Sequence, residues 1–361
     1  MQPTMSSWQL QSFGQPLAQV LRQVPQPQGT EVLLKVDACG VCHSDVHLHD
    51  GYFLLGEGHK LDLSRGIAPP RTLGHEIVGT VVACGPEVAG MGEGAAVGDR
   101  RIVFPWIGCG GCTPCLQGDE HLCNAARGLG VQRDGGFATH VLVPHPRYLL
   151  AFDGLADEQA CTLACAGVTA YSALKKAGPL GAQDTLLLIG AGGVGLSALR
   201  LAQAVWPGVP TVVAEIDRAK WGLARDAGAG DVVDPSAPDA AKALTKATGG
   251  GVAAAIDFVG AGASCAFRLG VLRKGGRLVS VGLFGGAAPL MPALLAMKAL
   301  TVQGSYVGSL AEMHELVALA RSGTLPPLAL TTRPLAAANE ALAELRAGRV
   351  RGRTVLVPEP I

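Results

Sequence analysis

The stretch DTLLLIGAGGVGLSALRLAQAV, residues 184–205, decides how the rest of the chain is read. An apolar run of strand length passes directly into Gly190, Gly192 and Gly195, and a helical pattern starts after them. Spacing alone carries little weight, because glycine supplies 50 of the 361 residues and chance matches are expected. Placement between strand and helix gives each glycine a task. The first permits the tight turn, the second lets backbone approach a pyrophosphate, and the third allows close packing of helix on strand. The helix start, with Gly193 and Val194, then turns N–H groups toward phosphate.

Further on, PTVVAEI ends in Glu215, twenty residues past Gly195, where a carboxylate can accept hydrogen bonds from ribose hydroxyls and repel a 2′-phosphate. NAD is therefore expected over NADP, with Arg218 close enough to soften the repulsion. The alternative is a solvated strand-end glutamate. The runs GDVVD, VAAAIDFVG and GRLVSVG alternate with alanine-rich helical stretches, which predicts a doubly wound parallel sheet over about 155–299. Before residue 155 the texture is different: short β-rich runs such as TEVLLKVDA and HEIVGTVVACG, broken by glycine, proline and histidine loops, predict a small β-barrel.

Bulk composition excludes several partners. Lys plus Arg equals Asp plus Glu at 29 each, so nothing in the charge favours nucleic acid or an anionic membrane. Residues 278–297 are uncharged and long enough to span a bilayer, yet three glycines and two prolines make them a buried strand and loop. The first fifteen residues carry no basic stretch followed by an apolar core, and the ten cysteines predict metal binding in a reducing cytoplasm rather than disulfides.

In CGGCTPCLQGDEHLC, Cys109, Cys112, Cys115 and Cys123 are spaced to wrap one tetrahedral zinc with no open position, a structural site. Four free thiols and an iron–sulfur cluster are the other readings. CGVCHSDVHLHD, residues 39–50, brings Cys42 among histidines and aspartates; His75 and Glu76 follow in TLGHEIVG, and Cys165 in CTLACAGVTAY. One histidine and two cysteines leave a tetrahedral position open, as a catalytic zinc requires.

Together GHEIVGTVV, CGVCHSD, the four-cysteine lobe, CAGVTAY and GAGGVG resemble the zinc-dependent alcohol dehydrogenases of the medium-chain dehydrogenase/reductase superfamily, the yeast and bacterial tetrameric branch above all. The likeness covers nearly the whole chain. It implies an α/β fold, a Rossmann doubly wound sheet over 155–299 plus a GroES-like β-barrel catalytic domain over 1–154 and 300–361, with the zinc lobe at about 105–125. It implies NAD, two zinc ions per subunit, a small alcohol, aldehyde or ketone as substrate, and a homotetramer, a dimer being the alternative.

Position by position, the resemblance makes Cys42, His75 and Cys165 catalytic zinc ligands and Glu76 a transient one. Asp45 orients His75; Ser44 and His47 relay the alcohol proton. His43 and Arg353 contact the pyrophosphate, and Thr169 and Val194 pack beside the nicotinamide. Trp106, Tyr52 and Leu283 are expected in the substrate pocket, with Phe53 a weaker candidate, while Cys39 and His49 are expected in the scaffold or facing solvent. Cys84, Cys161 and Cys265 are expected to pack as small apolar residues. The segment 51–72 is longer than in the yeast type and either covers the substrate mouth or makes a surface or subunit contact. Other readings are a zinc-dependent polyol or glutathione-adduct dehydrogenase and a noncatalytic zinc- and nucleotide-binding protein.

Overall fold

The computed structural model describes residues 3–91 and 95–359, so the outermost ends of the expected catalytic domain lie outside the described residues. The run DTLLLIG forms the strand Leu186–Ile189, with every residue of the strand buried, followed by the helix Gly193–Val205. Burial on both faces explains the unbroken apolar runs: Thr211–Ala214 and Val252–Asp257 are likewise buried throughout. Six parallel strands form this sheet. In chain order they are Leu186–Ile189, Thr211–Ala214, Asp231–Val233, Val252–Asp257, Leu272–Ser280 and Thr301–Gly304, and in space they run 3-2-1-4-5-6. That is the doubly wound dinucleotide-binding order, whose ligand crevice opens where the order reverses, at the first strand.

One expected boundary moves. Thr301–Gly304 pairs in parallel with Leu272–Ser280, so the sheet continues past residue 299. Here TVQG is exposed at every position along the sheet edge, and its polar side chains break the apolar run that marks the other strands. Residues 278–297 divide between the end of a strand and the short helix Pro292–Lys298. No described helix is long and apolar enough to cross a membrane.

The rest of the chain builds a seven-stranded sheet in which Val32–Val41 pairs with Glu76–Cys84, His140–Val143 and the C-terminal Arg353–Val357. A three-stranded sheet from Thr4–Leu10, Ala18–Gln23 and Arg71–Thr72 closes on it. The last 30 or so residues therefore return to the first half. Between the halves runs the helix Ala166–Ala177, whose Val168, Ala170 and Leu174 belong to one apolar core reaching from Val32 to Leu199. The chain thus brings two kinds of strand end to one crevice: the C-terminal end of Leu186–Ile189 and the end of Val32–Val41.

The strand–glycine–helix joint is tight in the way its spacing predicts. Gly190 has φ +97, and a Cβ on Gly195 would lie 1.9 Å from the Gly190 carbonyl oxygen. A Cβ on Gly192 would meet nothing within 4 Å, so that residue faces open space. Gly195→Ala is expected to push the helix off the strand, at a cost of about 2 kcal/mol in urea unfolding, and to weaken NADH binding in a fluorescence titration. Unchanged NADH affinity would detach the glycine turn from coenzyme binding.

Candidate active site and metal centres

Cys42 ends the strand Val32–Val41 and starts the helix His43–Asp50. Three residues on, the fully buried Asp45 accepts from the Cys42 N–H at 2.9 Å with one carboxylate oxygen. Its other oxygen accepts from the Gly74 N–H at 3.2 Å and from His75 Nδ1 at 3.1 Å. An ionised carboxylate only accepts, so Nδ1 must carry a proton, and in the neutral ring Nε2 is then the nitrogen with the lone pair. His75 Nε2 is buried and has no partner.

What faces that lone pair is a set of soft donors. Cys42 Sγ lies 3.9 Å from Cys165 Sγ, and donor atoms of Cys42, His75, Glu76 and Cys165 all lie within 4.8 Å of one another. A hydrogen bond from Cys165, reinforced by His75, holds the Cys42 thiol well below its ordinary range. A buried imidazole nitrogen with no protein partner, two thiols and a carboxylate match the chemistry of a zinc site, so the residues present fit that ion.

Glu76 is completely buried, accepts from the Ala166 N–H at 3.3 Å and pairs with Arg353. Burial raises its pKa to about 7 against the opposing pull of Arg353. Gly40, in the quoted CGVC, makes room for this carboxylate: a Cβ there would fall 1.9 Å from Glu76 Oε2. Trp106 closes another wall, its ring 5.3 Å from His75 and its Nε1 donating to the Ala164 carbonyl at 2.9 Å. Tyr306, whose ring lies 6.2 Å from Trp106, joins it; no motif marked Tyr306 in the sequence.

From the other half comes the glycine turn. A cleft is lined by Cys42, His43, Gly192, Gly193, Val194, Lys220 and Arg353. Arg353 comes so close that a Cβ on Gly193 would sit 2.4 Å from its Cδ, and its buried Nε has no partner. An open Gly192, a buried cation and a lysine suit a pyrophosphate, so these residues fit the expected dinucleotide. Lys220 was not anticipated; it lies a few residues past the acidic strand end, where side chains reach back over the cleft.

Glu215 is buried and does more than await a ribose. Its carboxylate accepts from the Ala191 N–H at 2.7 Å and the Asp217 N–H at 2.9 Å, clamping the glycine turn. Each oxygen retains a further lone pair for a ligand hydroxyl. Arg218 is turned aside, its guanidinium 5.6 Å over the Trp221 ring. Thr169, buried, donates its N–H to the Cys165 carbonyl one helical turn before it.

Ser44 and His47 are one turn apart on the helix His43–Asp50, and His47 packs its ring 4.8 Å from Phe53. Burial lowers the His47 pKa. His43 sits edge-on to Phe284 at 4.9 Å, while Leu283 is largely exposed. Segment 51–72 forms the hairpin Tyr52–Gly56 and His59–Asp62. Its Tyr52 ring lies under Lys60 Nζ at 3.8 Å, so Phe53, not Tyr52, is the ring at His47. The scaffold residues behave as such: Cys39 is fully buried, and the buried His49 pairs with Asp50 and Arg346. Cys161 and Cys265 are buried and Cys84 partly so.

The lobe places Cys112 Sγ 3.4 Å from Cys115 and 3.6 Å from Cys123, with Cys109 4.0 Å from Cys115. N–H groups of Gly111 and Cys112 pull the Cys109 thiol down to about 6, favouring the thiolate a metal needs. Buried Glu120 fastens the lobe, accepting from Gly108 N–H and from the Tyr148 hydroxyl and pairing with Arg147.

A dinucleotide-binding sheet joined to a β-domain, with an open Cys–His–Cys set at their junction and a closed four-cysteine lobe, defines a zinc-containing dehydrogenase. Residues 28–153 match the alcohol dehydrogenase GroES-like domain family, and residues 193–322 the zinc-binding dehydrogenase family. The chain is 37% identical to an NAD-dependent alcohol dehydrogenase of Sulfurisphaera tokodaii, over 98% of this chain and 100% of that protein. The alcohol dehydrogenase structure from Aeropyrum pernix superimposes with a TM-score of 0.86 at 30% identity, covering 98% of this chain and 100% of that one. A D-arabinose 1-dehydrogenase (NADP(+)) of Saccharolobus solfataricus is 30% identical over 97% of this chain and 96% of its own length. The chain belongs to the zinc-containing alcohol dehydrogenase family of medium-chain dehydrogenases/reductases, and is an oxidoreductase of that family.

Asp45→Asn tests the anchor. An amide cannot accept on both sides, so either Cys42 N–H or the His75 and Gly74 donors lose their partner. The expected result is roughly 10- to 100-fold weaker zinc retention at the Cys–His–Cys set, read by metal analysis after graded chelation, with the lobe's zinc retained. Equal retention at both sites would remove Asp45 as the organiser of His75.

Proposed function

We propose that the protein is a zinc- and NAD-dependent alcohol dehydrogenase that interconverts a primary or secondary alcohol, aliphatic or aromatic, with its aldehyde or ketone. The observation that carries this reading is the unpartnered, buried His75 Nε2 within a four-donor set, at the end of the cleft that opens on Gly192. Cys42, His75 and Cys165 would hold the catalytic zinc, with Glu76 in reserve behind Arg353, and the four-cysteine lobe a second, structural zinc. His43, Gly192, Gly193, Val194 and Arg353 would hold the dinucleotide phosphates, Glu215 its ribose and Thr169 the nicotinamide side. Zinc supplies a Lewis acid that makes an alcohol more acidic, and NAD a hydride acceptor.

This chain's own residues then handle the proton. Ser44 Oγ takes it from the alcohol as its own passes on to His47, one turn along the same helix, and from there to water. His47 is half-buried and its pKa lies below the ordinary value, with Cys42 and Asp50 opposing that shift, so the ring is neutral and ready to accept at pH 7. Trp106, Tyr306 and Phe53 give the substrate apolar aromatic walls. Arg218, engaged over Trp221, leaves Glu215 to repel a 2′-phosphate, which supports NAD over NADP.

The edge strand Thr301–Gly304, exposed at all four positions beside exposed Met297, supports self-association through that edge in a dimer or a homotetramer. Ten free cysteines suit a reducing, cytoplasmic setting. A second reading, oxidation of a sugar or other polyol, is favoured by the likeness to D-arabinose 1-dehydrogenase; the apolar aromatic walls favour alcohols with few hydroxyls.

The test is coenzyme reduction by the zinc-loaded protein across ethanol, longer primary alcohols, benzyl and cinnamyl alcohols, secondary alcohols and polyols, with NAD⁺ and NADP⁺ in parallel. Turnover with simple alcohols and NAD⁺, abolished by chelation, is expected; preference for a sugar with NADP⁺ overturns the reading. His47→Ala is expected to slow alcohol oxidation about 100-fold near neutral pH, with partial rescue by imidazole. Because burial lowers its pKa, the acid limb that His47 causes in kcat/KM should lie below pH 6.5 and vanish in the variant. An unaltered pH profile removes His47 from the relay.

A further inference from the structure

On the side of the helix Gly193–Val205 away from the glycine turn lies a cavity of about 240 Å³, sharing no lining residue with the metal or dinucleotide sites. Its walls are apolar, with Leu155, Leu163, Leu201, Leu325 and Leu328 among them. The polar groups that reach it are almost all satisfied within the protein. Gln159 exchanges two hydrogen bonds with the Leu328 backbone, at 2.8 and 2.9 Å, which fastens the loop over the cavity. Ser197 Oγ donates to the Gly193 carbonyl, and Thr162 Oγ1 to the Gln159 carbonyl.

Arg200 is the exception. It lines the cavity, and no described acidic side chain pairs with it and no hydrogen bond engages it; its Nε is buried without a partner. The residue is half-buried, and burial lowers its pKa to about 10. A partly desolvated arginine with a free fork beside leucine walls is complementary to a planar oxyanion with an apolar body. Neither an alcohol nor a hydrocarbon would satisfy it, and a polyanion would leave charge against leucine.

We propose that this cavity is a binding site for a small carboxylate with an apolar chain or ring, its carboxylate on Arg200 and its body among the leucines. The cavity holds about eight water-sized groups at ~30 Å³ each, which fits a medium-chain fatty acid or an arylalkanoate and excludes larger lipids. Its position is consequential. Leu163 precedes, and Gly167 follows, Cys165 by two residues, and Arg200 rides on the helix that begins at the glycine turn. An occupant therefore rests against both helices that lead into the cleft.

The probe is octanoate, titrated calorimetrically into the intact zinc-loaded protein, with octanamide as its neutral counterpart. Wild-type protein is expected to bind octanoate with Kd on the order of 10–100 µM and octanamide at least about tenfold more weakly. Arg200→Met should weaken octanoate about ten- to hundredfold with NADH binding and thermal midpoint close to wild type. Leu325→Trp, which fills the cavity and keeps the arginine, should also abolish octanoate binding. Should Arg200→Met fail to fold, the octanamide comparison and Leu325→Trp decide alone. Octanoate affinity unchanged in the variants would locate the ligand elsewhere, the catalytic cleft included, and overturn the proposal. So would equal affinity for octanamide, or no octanoate binding at all.

Discussion

The buried carboxylate of Asp45 is the constraint on which the catalytic site depends. It is fully shielded from solvent, and an ionised group there is tolerable only when its oxygens are occupied. Three donors occupy them: the N–H groups of Cys42 and Gly74 and the Nδ1–H of His75. The bonds join the start of one helix to the turn before another strand, so two of the proposed metal ligands, 33 residues apart, are positioned by one side chain. They also fix the histidine tautomer. Gly74 itself admits no substitute, because with φ +89 its Cβ would meet Phe137 at 2.4 Å and Cys39 Sγ at 2.8 Å. Small residues around the carboxylate thus serve the same end as the charges: they let three backbone segments close round it.

A second buried pair carries the arrangement from one half of the molecule to the other. Arg353 meets Glu76 on the metal side and lies against Gly193 on the coenzyme side. Its strand, Arg353–Val357, pairs with Val32–Val41, the strand that delivers Cys42. Removing one partner of such a pair leaves a buried charge alone, typically at 3–5 kcal/mol, which makes the pair a strong tie between the sites. Gly40 and Gly193 hold its two ends open, one for the carboxylate and one for the guanidinium stem. Burial raises the Glu76 pKa to about 7 even with Arg353 beside it, which shows how costly an isolated carboxylate would be at this position.

Legibility followed sequence distance. The glycine turn and the four-cysteine lobe are local, with their geometry written into spacing over fifteen residues or fewer, and both were readable from the chain. The Cys42, His75 and Cys165 set, spread over more than a hundred residues, could be proposed from its donor types, but resemblance was needed to bind three distant segments into one site. Residues whose role depends on what packs against them escaped: Gly40, whose missing side chain matters only because Glu76 arrives there; Lys220, on the short 3-10 helix Arg218–Lys220, and Tyr306, in a loop; and Arg200, whose significance lies in lacking a partner. Of the two hairpin aromatics, the sequence could not tell which meets His47, for a related reason. Alternation along the hairpin sends Tyr52 and Phe53 to opposite faces, and which face meets His47 is decided by the tertiary fold. The exposed edge strand Thr301–Gly304 lacked the apolar run that marked its neighbours.

The longer segment 51–72 then acquires a physical role. Its hairpin reaches across the crevice and touches the 285–287 loop of the other half backbone to backbone: a Cβ on Gly56 would lie 2.3 Å from the Ala287 nitrogen, and one on Gly285 2.4 Å from the Leu54 carbonyl oxygen. Behind this contact Phe53 covers His47, and Phe284 covers His43. Two rings, one from each half, thus shield His43 and His47, and burial depresses the pKa of both. Excluding water strengthens every charge interaction in the site, because the local dielectric falls. The closure rests on a few contacts at the tip of a two-stranded hairpin, an element of low independent stability. For the proposed reaction, a cleft kept dry during proton and hydride transfer and open for exchange would need a cover of that kind, firm enough to exclude water and weak enough to release.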